Sequence, residues 1–148
     1  MSEVAFLVGT TLSEVRYWAP AGLRLVFDAG KRVEPALYAD LETTCEYLDR
    51  AGSVHEIEPE EATSVGPVLA SVGQRVDRAS TTGGRLELSF SDGARLRCDP
   101  HAQYEAWHIA GGFPQHLVVC LPGGELGVWD DKSKVETVLL EDLRSERS

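Results

Sequence analysis

Long hydrophobic runs, disulfide spacing, basic charge and catalytic motifs are all missing from this sequence, and each absence removes a class of protein. No apolar run reaches the roughly 18 residues that a membrane-spanning helix needs. The opening MSEVAFLVGTTLSEV is acidic where a secretory signal would be basic, so the expectation is a cytoplasmic chain without membrane contact. Cysteine is scarce: Cys45, Cys98 and Cys120 are odd in number and lack CxxC spacing, which argues for three reduced thiols rather than a disulfide framework. Lysine and arginine total 14 against 24 aspartate and glutamate. The resulting net charge of −10 disfavours phosphate backbones and anionic lipid, and favours a basic partner or plain solubility. Pro122-Gly123-Gly124-Glu125 lacks the lysine and spacing of a phosphate loop and reads as a hairpin turn, as do Gly83-Gly84 and Gly111-Gly112.

What is present is a strand pattern. The 148 residues suit one domain, long enough to bury about two-thirds of its unfolded surface. Gly84–Ala110 organises the chain: Leu86, Leu88 and Phe90 alternate with Arg85, Glu87 and Ser89, the period-2 signature of a strand with one wet face. Ser91-Asp92-Gly93 supplies a tight turn, and Leu96 and Cys98 point inward opposite Arg95 and Arg97 until Asp99-Pro100 ends the pairing. A third strand is expected over Tyr104–Ile109.

The same pattern occurs earlier. A shift of 63 positions lays Leu23, Leu25, Phe27, Gly30, Arg32, Ala39 and Glu42 on Leu86, Leu88, Phe90, Gly93, Arg95, Ala102 and Glu105, seven identities in the 20 positions from 23 to 42. This predicts two pseudo-repeated meanders, over about 8–57 and 72–130, the first with strands at 12–18, 23–28 and 31–34 and a further strand at 41–48. Between them, Pro59-Glu60-Glu61 resembles a helix first turn, and Ala62, Val65, Val68, Leu69 and Val72 recur at helical spacing up to Gly73. One main helix over about 60–72 is expected, with Pro67 falling inside the pattern. The fold class is therefore α+β, mostly antiparallel β, in a single domain over 1–130. The charged tail, 131–148, carries Val135, Val138, Leu139 and Leu143 at roughly helical spacing, while Thr137 and Val138 leave a strand open.

Three motifs in order, Phe90-Ser91-Asp92-Gly93, Tyr104-Glu105-Ala106-Trp107 and Pro122-Gly123-Gly124-Glu125-Leu126-Gly127-Val128-Trp129, resemble a "dG…yEaW…PGGeLaVW" signature of small bacterial proteins of unknown function. The likeness spans about 8–130. It implies an uncharacterised domain and brings no reaction or ligand with it.

The candidate binding residues are Tyr104, Glu105, Trp107 and Trp129, because a carboxylate among aromatics accepts charge-assisted bonds in a partly dry setting. Structural pairing of Glu105 with Arg95 or Arg97, and core packing of the two tryptophans, compete with that reading. Glu56, Glu58, Glu60 and Glu61 form the most acidic patch. Cys98, His101, His108 and Cys120 follow no ribbon or finger spacing, so no metal, cofactor or catalytic group is expected. The functional expectation is a non-enzymatic acidic protein-binding module, most concretely an immunity- or antitoxin-like protein that neutralises a basic partner. The alternatives are a small-ligand binder or enzyme with a pocket near Tyr104, Glu105 and Trp107, and a self-associating structural domain.

Overall fold

A computed structural model describes residues 2–20, 22–30, 36–112 and 115–129. Eleven strands occur among these residues: β1 Thr11–Trp18, β2 Gly22–Asp28, β3 Leu37–Leu41, β4 Cys45–Leu48, β5 Val54–Ile57, β6 Val76–Thr82, β7 Arg85–Phe90, β8 Arg95–Cys98, β9 Trp107–Gly111, β10 His116–Cys120 and β11 Leu126–Trp129. They form two antiparallel sheets, of order β1-β2-β3-β9-β10-β11 and β5-β4-β8-β7-β6. The mostly antiparallel β class expected from alternation is the one observed.

The chain changes sheet twice. After the first three-strand meander it passes through Glu42–Thr44 into the other sheet, where β4 pairs with β8; after the second, β6-β7-β8, it returns so that β9 pairs with β3. The strand expected over 41–48 is therefore two strands in two sheets, and the one expected over Tyr104–Ile109 begins only at Trp107. The expected strand at 31–34 and the tail at 131–148 lie outside the described residues.

Both meanders open with the same irregularity. The β1–β2 register shifts between Leu12 and Glu14, next to the Leu12–Phe27 pair, and the β6–β7 register shifts between Val76 and Arg78, next to the Val76–Phe90 pair. One extra residue on the bulged strand sharpens its local twist. The two bulged strands meet where Leu12 N–H donates to Gln74 O at 3.0 Å and Val76 N–H donates to Thr10 O at 2.7 Å. The third strands differ, since Phe27 pairs with Leu37 while Phe90 N–H donates to Ala94 O. Consequently Ala39 sits within β3 but Ala102 lies in the connection after β8, so the sequence match beyond the turn has no counterpart in strand position.

Inward rows from both sheets share one core: Leu23, Leu25 and Phe27; Leu86, Leu88 and Phe90; Ala39 and Leu41; Leu96 and Cys98; Trp107 and Ile109; Cys45 and Tyr47. Each large side chain removed from water here contributes about 1.5–3 kcal/mol. The helical connection is short and of 3-10 type, in two pieces, Ala62–Ser64 and Gly66–Ser71, rather than a regular helix over 60–72. Gly66 and Pro67 explain this, because proline offers no N–H and its ring clashes with a preceding turn. Val65 and Val68 still face the core, and Ser71 meets the buried Tyr47 hydroxyl at 2.7 Å.

Trp107, fully buried, donates from Nε1 to Gly84 O at 3.0 Å, and the Cys120 thiol reaches the same carbonyl at 3.4 Å. Gly84 itself has φ +86°, and a Cβ there would lie 2.5 Å from the Gly124 backbone. Gly83, with φ +58°, has open space around its Cβ position. Gly84→Ala is therefore expected to lower the urea-derived unfolding free energy by more than about 2 kcal/mol, and Gly83→Ala by only about 1 kcal/mol, the left-handed backbone cost alone.

Candidate functional site

The outward face of the six-stranded sheet carries an unusual row of charge. Strand register sets Arg24 opposite Asp40 and Asp40 opposite His108, so three side chains from β2, β3 and β9 project side by side. Asp40 is only 8% exposed. It takes the Arg24 guanidinium in a two-pronged bond, Nε to Oδ1 at 2.6 Å and Nη2 to Oδ2 at 2.9 Å, and His108 Nε2 stands 3.0 Å from Oδ2. On its other side, His108 Nδ1 lies 3.8 Å from Glu42 Oε1.

Aromatic rings fix the guanidinium further. Arg24 Cζ lies 3.9 Å from the Tyr38 ring centroid and 5.6 Å from that of Trp18, while His108 meets Tyr38 edge-on at 6.2 Å. Stacking on a π face and a forked bond to a carboxylate are both arginine geometry, which a lysine would not reproduce.

The electrostatics follow from the row. Burial raises the Asp40 carboxyl, but the His108 and Arg24 bonds outweigh it and leave Asp40 below the usual carboxylate range. Burial lowers His108, but Asp40, Glu42 and Glu105 outweigh it and raise the imidazole above its ordinary value. Glu42 goes up: burial raises it, His108 opposes, and Glu105 and Asp40 add repulsion. One ring nitrogen of His108 is thus held by Asp40, and the other faces the Glu42 carboxylate beyond hydrogen-bond distance.

Beside the row, Trp18, Pro20, Gly22, Leu23, Asp40, Leu41 and Glu42 line a recess of about 360 Å³. Trp18 is 48% exposed at its rim. The acidic patch is tied to the elements around this recess without lining it. The Tyr17 hydroxyl is 3.2 Å from Pro20 O and 2.7 Å from Pro59 O, tying the β1–β2 turn to the segment holding Glu56, Glu58, Glu60 and Glu61. The Thr44 hydroxyl bonds Glu58, which draws that carboxylate toward the Glu42–Thr44 connection. Burial and the neighbouring Glu56, Glu61 and Glu60 push the Glu58 carboxyl up.

Of the residues singled out from sequence, Glu105 is exposed and acts electrostatically on Glu42 and His108. Tyr104 is 64% exposed, and its ring lies 4.9 Å from that of His101, whose Nδ1 accepts from the Gln103 and Tyr104 N–H groups. Trp107 is in the core, and Trp129 packs with Tyr38, Ala110, Leu117 and Val119 on the opposite face of the sheet, so the two tryptophans do not meet. His108 on the outer face is separated by the sheet from Cys98 and Cys120 in the core. Sequence reasoning missed Arg24, Tyr38 and Asp40. Their signal, a buried aspartate inside the apolar strand Leu37–Leu41, becomes visible only once β3 is known to lie between β2 and β9.

A model described as "Family of unknown function (DUF6188)" matches residues 36–130. That stretch contains Asp40, Glu42, Glu105 and His108; Trp18 and Arg24 precede it. No curated protein and no solved structure matches the chain.

Removing the Asp40 charge leaves Arg24 and His108 with a single neutral acceptor oxygen in place of a carboxylate. Asp40→Asn is expected to cost about 2–3 kcal/mol, below the range for fully buried pairs because the Arg24 side chain keeps 30% exposure. The His108 midpoint, read by imidazole NMR, is expected above 6.5 in the native protein and lower in Asp40→Asn. Because the folded value is raised, the stability contributed by His108 is complete below the unfolded value near 6.5 and lost as pH rises through the folded value. In His108→Gln this part of the pH dependence disappears.

Proposed function

We propose that this chain, which belongs to the family of unknown function matched above, is a non-enzymatic recognition module that seats a cationic side chain of a basic protein in the Trp18–Glu42 recess. The observation that carries the reading is the excess of carboxylate at that recess. Asp40 is neutralised by Arg24 and shared with His108, whereas the Glu42 carboxyl is held above the usual range by burial first and then by repulsion from Glu105 and Asp40, against the opposing pull of His108. A lysine or arginine from a partner relieves that repulsion, and the Trp18 face adds a cation–π contact. The patch at Glu56, Glu58, Glu60 and Glu61 extends the same sign of charge, which speeds encounter with a basic surface and suits an immunity- or antitoxin-like role.

The same reading takes β1–β5 and β6–β10 as two copies of one unit. Its support is the repeated order of pairing, β1-β2-β3-β9-β10 in one sheet and β6-β7-β8-β4-β5 in the other, together with the bulges next to Phe27 and Phe90. The charged row Arg24–Asp40–His108 would then be a specialisation of one sheet, each sheet drawing strands from both copies, since the corresponding outward row of the other sheet reads Glu87–Arg97–Glu46.

A pull-down from the source cell at low salt is expected to recover a basic protein in stoichiometric amount. Recovery falls at least about tenfold in 0.5 M salt and in the double variant Glu42→Lys, Glu105→Lys, since both carboxylates are at the surface. Recovery of no partner, or of one indifferent to salt and to both reversals, contradicts the reading.

A further inference from the structure

Two of the three free cysteines are arranged for chemistry with each other. Cys45 on β4 and Cys98 on β8 are direct cross-strand partners, and their sulfurs lie 2.7 Å apart in the core. Directly opposed residues of antiparallel strands have Cα atoms about 4.5–5.5 Å apart, inside the range a disulfide spans. Cys45 lines a recess of about 370 Å³ whose wall includes Thr43, Glu46, Val54, Arg97 and His101, and Cys98 does not line it. In that wall are two of the buried polar atoms that, among the described residues, have no hydrogen-bond partner, Thr43 Oγ1 and Arg97 Nε. Arg97 Nε lies 3.5 Å from Glu87 Oε1, a charge contact rather than a hydrogen bond.

We propose that Cys45 and Cys98 form a peroxide-reactive dithiol, in which Cys45 is the attacked thiol, Cys98 the resolving one, and the Thr43–Arg97 recess the entry for a small hydroperoxide. Thr43 Oγ1 and Arg97 Nε are donors without an acceptor, and peroxide oxygens accept from both. The Cys45 sulfur, having given up its proton, attacks one peroxide oxygen; the S–O bond forms, the O–O bond breaks, and hydroxide leaves and takes up that proton as water. The Cys98 sulfur then attacks the Cys45 sulfur; the S–S bond forms, the S–O bond breaks, and the second hydroxide leaves with the Cys98 proton. Two thiols and one hydrogen peroxide become one disulfide and two waters. Cys45 lines the entry recess and Cys98 does not, which assigns first reaction to Cys45, while burial and the adjacent Cys45 keep Cys98 in its thiol form. The bond would join strands 53 residues apart in sequence across the middle of the five-stranded sheet.

The test uses the full chain alone. After brief treatment with hydrogen peroxide and removal of the excess, the protein is unfolded, alkylated and mapped. Two of the three thiols are expected to be blocked, with the mass about 2 Da lower before alkylation and one peptide pair joining Cys45 to Cys98. Dithiothreitol restores all three, and the oxidised protein melts roughly 10 °C higher, the stabilisation expected of a loop this long. Three alkylatable thiols, or a bond involving Cys120, overturns the proposal. Cys98→Ser is expected to leave a sulfenic acid on Cys45 that dimedone captures; if that variant does not fold, the map of the native chain decides alone. Thr43→Val is expected to slow thiol loss severalfold with the same product, and an unchanged rate removes the recess from the mechanism.

Discussion

The pairing of β3 with β9 is the constraint on which both the core and the outer face depend. In one stroke it sets Leu41 beside Trp107 on the inner face and Asp40 beside His108 on the outer face. A slip of one residue would drive the aspartate and histidine into the apolar interior and push leucine and tryptophan into water. The cost of that slip, several buried side chains at about 1.5–3 kcal/mol each plus a desolvated charge, makes the register unambiguous. Because β3 and β9 are far apart in the chain, the pairing is also what joins the first meander to the strands β9-β10-β11.

Charge on the outer face is organised by how each carboxylate is satisfied. Asp40 has three good donors and is held ionised; Glu42 is raised by burial and then by two like-charged neighbours, with only a distant imidazole opposing them. The first is fixed structure, and the second is unmet demand for a cation. The neighbouring Glu56–Glu61 segment, roped to the β1–β2 turn through Tyr17, adds to the demand without adding a fixed partner. An acidic module that binds a basic surface needs this combination, because saturated ion pairs give rigidity while unsaturated ones give attraction.

Much of the architecture was legible in the sequence. Leu23-Leu25-Phe27 and Leu86-Leu88-Phe90 read as half-buried strands because alternation is a local property, and Asp92-Gly93 read as a turn because the Asp92 carboxylate caps Ala94 N–H at 3.0 Å and Gly93 takes φ +94°. What depends on distant partners was not. The helical spacing of 62–72 gave short 3-10 turns because Gly66 and Pro67 outweighed periodicity. Tyr104, Glu105 and Trp107 are close in sequence, yet a strand begins at Trp107 and takes the indole into the core, leaving the other two at the surface. Asp40 is the centre of the charged row, and no local pattern reveals that Arg24 and His108 flank it.

The central claim is that strand register gives Asp40, on β3, and Glu42, just past its end, opposite electrostatic fates. A side-chain carboxyl NMR titration of the native chain measures both at once. The account predicts an Asp40 midpoint below the ordinary 3.8 and a Glu42 midpoint above the ordinary 4.5. An Asp40 midpoint at or above 3.8 together with a Glu42 midpoint at or below 4.5 would contradict it.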